Sequence, residues 1–208
     1  MRLYRRSLAR QASAAALLMF AVKCADAHGV VKEVGDFYAG ALHPLTALEH
    51  VLPFVAFGIF VGQRGQKATA ALLVFSLMLM IGAASALWMS PLPYVSLLNI
   101  LSAALLGVLV AGAWRLPIWF IQTMAVVFGF SHGFANGMAV TGSIKPYLFI
   151  PGLGVAGLIV PAWTMIVTDF LLRQRAGWMH IAVRVAGSWI AAIGILVLAT
   201  SGRGLLNF

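Results

Sequence analysis

After its first forty positions the chain carries six apolar windows, roughly 44–63, 68–89, 94–114, 116–140, 147–172 and 179–201. Each is close to the ~20 residues a helix needs to cross the hydrocarbon core of a bilayer. Only a few residues separate one window from the next, so no soluble domain fits between them. Composition agrees: 62% of the 208 residues are hydrophobic, 9% are charged and the mean hydropathy is +0.98, values foreign to a soluble domain of this length. The expected fold class is an all-α integral membrane protein, a compact bundle of about six transmembrane helices. Short connections favour antiparallel packing of sequence neighbours.

The first 27 residues follow another pattern. Arg2, Arg5, Arg6 and Arg10 precede a short apolar run at 14–22 and the small-residue ending Ala25-Asp26-Ala27, the arrangement of a cleavable signal peptide. The expected organisation is therefore a signal peptide over 1–27 and a six-helix transmembrane domain over 28–208. Removing those four arginines with Lys23 and Asp26 takes the formal charge from +9 to +5. With the mature amino terminus outside, Arg64, Lys67, Arg115, Arg173, Arg175 and Arg184 fall in the cytoplasm, against Lys32, Lys145 and Arg203 outside. That bias obeys the positive-inside rule and predicts a multi-pass protein of the bacterial inner (cytoplasmic) membrane with a periplasmic mature N-terminus. The basic residues are spread over several turns, so the expected partner is the lipid bilayer and not nucleic acid. Cys24 is the only cysteine, which rules out a disulfide framework.

Two polar islands interrupt the apolar windows, HPLTALEH at 43–50 and GFSHGFANG at 129–137. An ionisable group at membrane depth costs several kcal/mol unless it is paired or coordinated, so it marks an ion or substrate path by default. In the first island Pro44 suits the first turn of a helix, and His43 and His50, seven apart, would share a face with Glu49 beside them. Pro53 cannot donate to the Glu49 carbonyl and is expected to kink the helix there. In the second island Gly129, Gly133 and Gly137 form a stripe that admits a close neighbour, flanked by His132 and Asn136. Imidazoles with a carboxylate and an amide oxygen suit a borderline divalent metal. The plainer readings are a polar helix entrance for His43 and His50, and an interhelical hydrogen-bond pair for His132 and Asn136. Asp169 and Arg173, one turn apart, are placed for a local ion pair.

These residues resemble a known family, the six-span hydrogenase and urease accessory proteins of the HupE/UreJ type, regarded as nickel or cobalt permeases. His43-Pro44-Leu45-Thr46-Ala47-Leu48-Glu49-His50 is similar to that family's H-P-x-x-G-x-D-H, and His132-Gly133-Phe134-Ala135-Asn136-Gly137-Met138-Ala139 to its H-G-x-A-H-G-x-E. Asn136 stands where the family has a histidine and Ala139 where it has an acid. A histidine just after the signal, here His28, also looks like the family.

The resemblance implies a secondary permease that captures a divalent transition metal, nickel or cobalt, from the periplasmic side and passes it to intracellular metallochaperones. His43, Glu49, His50 and His132 are the expected metal-handling residues, with Asn136 and His28 in support. The ion would be cargo, with no permanently bound cofactor and no catalytic residues. The alternatives are a non-transporting membrane protein that holds metal or assists assembly, and an intramembrane zinc-dependent hydrolase using Glu49 as base.

Overall fold

The computed structural model describes residues 27–65, 68–174 and 176–205. Among these the chain is all helix, in the order α1 (Ala27–Thr46), α2 (Leu48–Gly62), α3 (Ala70–Ser85), α4 (Val95–Gly112), α5 (Ile118–Gly137), α6 (Pro146–Arg173) and α7 (Trp178–Leu205). Apart from Ala27, the expected signal peptide lies outside the described residues, as does the side chain of His28. Among the described residues, four helices are long and apolar enough to cross a bilayer: α4, α5, α6 and α7 over Trp178–Thr200. The pair Gly35–Thr46 and Leu48–Gly62 passes the same test jointly, making up to five spans. α3 is apolar but only 16 residues long, about 24 Å against a ~30 Å hydrocarbon core.

The first window does not form one helix. Residues 44–46 complete α1, Ala47 is extended (φ −119°, ψ 129°), and α2 sets off at 83° to what precedes it. Pro44 consequently sits in the last turn of α1, not at a helix start, and His43 and His50 lie on different helices, so the seven-residue spacing gives them no shared face. The Thr46 hydroxyl donates to the His43 carbonyl at 2.8 Å, closing the end of α1, while the Ala47 carbonyl accepts from His50 and Val51 to start α2. Nor does Pro53 mark the bend, because α2 is continuous through it. Pro53 is the sixth residue of α2, and the helix runs on through it without the N–H that would bond the Glu49 carbonyl.

The packing departs from a bundle of sequence neighbours. The most extensive contacts join α3 with α5, α4 with α7, and α1 and α2 with successive halves of α6. Small residues make each contact possible. A Cβ added at Gly129 would meet the Phe75 carbonyl, at Gly133 that of Leu79 and at Gly137 that of Ala83, so the two backbones touch in rising register and α3 and α5 run parallel. Gly187 packs on Ala111, while Gly107 packs on Ala191 and Gly194 on Ala104, a falling register that makes α4 and α7 antiparallel. The main pairings have a two-fold character, although the α2–α4 contact has no comparable counterpart between α5 and α7 among the described residues. Exchanging α2, α3, α4 with α5, α6, α7 carries the parallel α3–α5 contact onto the parallel α6–α2 contact, and maps α4–α7 and α3–α6 onto themselves. Phe54, Phe57, Phe60, Phe75, Leu79 and Leu106 fill the centre, all wholly buried. Leu73, Leu77 and Ile81 of α3 and Ile159, Trp163 and Ile166 of α6 face outward, the opposite polarity to a water-soluble bundle.

Candidate functional site

The break at Ala47 turns the first residues of α2 inward, and His50, in its first turn, is only 6% exposed. His132 reaches the same point from α5 and is wholly buried. Their Nδ1 atoms lie 3.0 Å apart with the rings nearly perpendicular, at 78°. Phe54 closes one side, its ring 5.8 Å from that of His132. The glycine stripe does not carry His132 against the helix it packs on. It seats α5 on α3, whereas His132 projects off the stripe toward α2 and α4.

α4 supplies the rest of the network. Ser102 Oγ lies 2.8 Å from His132 Nε2 and donates its own proton to the Asn99 carbonyl at 2.6 Å. The Asn99 side chain accepts from Ser131 Oγ, tying α4 to α5 one residue before His132. The bond directions set the tautomers. Ser102 has one proton and gives it to Asn99, so His132 must donate from Nε2 and keep a lone pair on Nδ1. With one proton per neutral ring, His50 donates from Nδ1 and keeps its own lone pair on Nε2. That nitrogen lies 3.8 Å from Glu49 Oε1, on a carboxylate side chain 45% exposed.

The two islands include Ser131 without giving it a role and leave out Asn99 and Ser102; all three are buried. A signal was present, since Asn99 and Ser102, three apart, share one side of an otherwise apolar helix. Asn136 is fully buried; its Nδ2 donates to the His132 carbonyl at 2.7 Å, leaving Oδ1 without a hydrogen-bond partner among the described residues. His43 packs its ring 5.8 Å from Phe149 of α6. Among the described residues, no group of three or more His, Cys, Asp or Glu side chains is gathered to hold a metal. The paired histidines are the nearest approach to one, and they join the last residue of the first island, at the start of α2, with the second island.

Both islands fall within residues 15–197, which match the family model described as HupE / UreJ protein. The chain belongs to the HupE/UreJ family. Protein HupE of Rhizobium leguminosarum bv. viciae is 26% identical over 161 residues, covering 77% of this chain and 83% of that protein. No solved structure matches the chain significantly. This HupE/UreJ member therefore brings one histidine from each family-like segment into a single buried pair, with a serine and an asparagine from a third helix behind them.

Proposed function

We propose that this HupE/UreJ protein is a secondary permease for a divalent transition metal, nickel or cobalt, which it takes from the periplasmic side through six spans, with α1 and α2 as one broken span and α3 as a short one. The observation that carries the reading is the 3.0 Å separation of His50 Nδ1 and His132 Nδ1. Two nitrogens so spaced, each ~2.0–2.1 Å from one ion, subtend about 90–97° there, close to the cis angle of octahedral or square-planar coordination; a tetrahedral ion would need them ~3.3–3.4 Å apart.

The ion replaces the proton between the rings. His50 gives up its Nδ1 hydrogen and carries one on Nε2 instead, facing Glu49, while His132 already donates from Nε2 to Ser102. Each metal-bound imidazole would then have an acceptor behind it, the arrangement that orients histidine ligands. Glu49 serves as orienting partner and, being partly exposed, as the first anionic group the ion meets. The orphaned Oδ1 of Asn136 is an oxygen donor one turn from His132. The sequence contains no nucleotide-binding loop, so the driving force is the ion gradient, the membrane potential, worth about 4.6 kcal/mol per 100 mV for a divalent ion, or capture by a cytoplasmic metallochaperone.

The test is uptake of radiolabelled Ni²⁺ and Co²⁺ by cells expressing the intact protein, His50→Ala or His132→Ala at matched membrane abundance. Accumulation should fall at least 10-fold in either variant. Equal accumulation in all three, and in cells lacking the protein, would sink the permease reading. Binding of Ni²⁺ by the purified protein without uptake would indicate a holding or assembly protein instead.

A further inference from the structure

At the end of α2 remote from His50, a cavity of about 410 Å³ opens where α4 and α6 also end and α7 begins. Its volume lies in the range of small-molecule sites. Arg64, Arg115, Arg173 and Arg184 line it, against one carboxylate, Asp169. That carboxylate is already engaged, with Oδ2 accepting from Arg173 Nε at 2.8 Å. Arg184 is aimed by a bond from its Nε to the Ala111 carbonyl at 2.7 Å. Arg64 is held with its guanidinium carbon 5.5 Å from the centre of the Phe60 ring, and its Nε and Nη2 are buried with no hydrogen-bond partner among the described residues. Burial first, and the like charge of Arg115 second, push the Arg64 guanidinium below its ordinary value. A guanidinium does not shed its proton in a protein, so this cost persists until an anion offsets it.

The positive-inside rule accounts for basic residues in these turns, but not for their convergence on one cavity with buried N–H groups that have no partner among the described residues. Several guanidinium groups around one space, in excess over carboxylate, suit a tetrahedral oxyanion that accepts from more than one fork. Basic cavities between transmembrane helices also take lipid head groups. We propose that this cavity binds a phosphate group, supplied by an anionic phospholipid head group or by a soluble phosphate. It stands apart from the histidine pair and does not depend on the metal reading.

The experiment uses the full-length protein in detergent. Native mass spectrometry would measure retention of phosphatidylglycerol against phosphatidylcholine, and inorganic phosphate would be titrated separately. Wild type, the double variant Arg64→Gln/Arg115→Gln, and Asp169→Asn would be compared at equal elution volume. If the phosphate is a lipid's, wild type retains phosphatidylglycerol at least fivefold over phosphatidylcholine and the double variant loses that preference. Binding of inorganic phosphate that needs Arg64 and Arg115, without lipid preference, identifies a soluble source. Asp169→Asn removes the competing carboxylate and should raise retention of the bound form about threefold, a gain that a folding defect cannot mimic. Lipid and phosphate binding that is the same in all three proteins overturns the proposal.

Discussion

Ser102 spends its one proton on Asn99, and this makes it an acceptor for His132 Nε2 and sets the direction of every bond in the pair. Ser102→Ala should therefore loosen His132 without removing a ligand. Loss of such an orienting partner typically costs 10–100-fold in metal affinity, so the apparent KM for Ni²⁺ uptake should rise at least 10-fold with little change in maximal rate. Ser102→Thr keeps the hydroxyl and should restore most of the affinity; a loss that Thr does not rescue would point to packing instead. Asn136 offers the reverse experiment. Asn136→His puts an imidazole one turn from His132, where the resembled family pattern has one, and should tighten Ni²⁺ binding to the purified protein by about 10-fold in calorimetry. No gain would mean that position 136 does not face the ion. The histidines and Asn136 could be picked out of the sequence because polar groups are rare there, whereas Ser102 and Asn99 passed as ordinary small polar residues. What distinguishes them is their partners, which lie on other helices.

At the scale of the helices, the most extensive contact joins α3 and α5. A methyl group at Gly133 would overlap the Leu79 carbonyl oxygen, a rigid backbone atom, whereas Gly177 has nothing within 4 Å. Gly133→Ala should cost about 1–3 kcal/mol by overpacking and lower the unfolding temperature in detergent, while Gly177→Ala should leave it unchanged. Equal temperatures for the two variants would contradict the parallel α3–α5 contact. The stripe itself was plain from the four-residue spacing of Gly129, Gly133 and Gly137. Its partner was not, since a stripe of small residues says that a backbone comes close and not which one. The first window failed for a related reason: an apolar run with two prolines is compatible with one kinked helix or with two helices, and only packing of both α1 and α2 on α6 selects the break at Ala47.

For the whole molecule, the proposed topology makes a direct prediction. With both mature termini periplasmic, a membrane-impermeant maleimide added to intact cells should label Lys145→Cys but not Arg115→Cys, and the mature chain should begin at His28 by mass. Labelling of Arg115→Cys alone would invert the orientation. The all-helical class, the approximate helix positions and the two polar islands were all present in the sequence, because hydropathy over ~20 residues and the cost of polar groups in lipid act locally along the chain. The pairing of helices that are not neighbours, the meeting of His50 with His132 over the hydroxyl of Ser102, and the gathering of four arginines at one end were decided by tertiary structure alone. Each of those depends on which backbones can approach and which buried polar atoms must find one another, and neither condition is written in the spacing of residues along one helix.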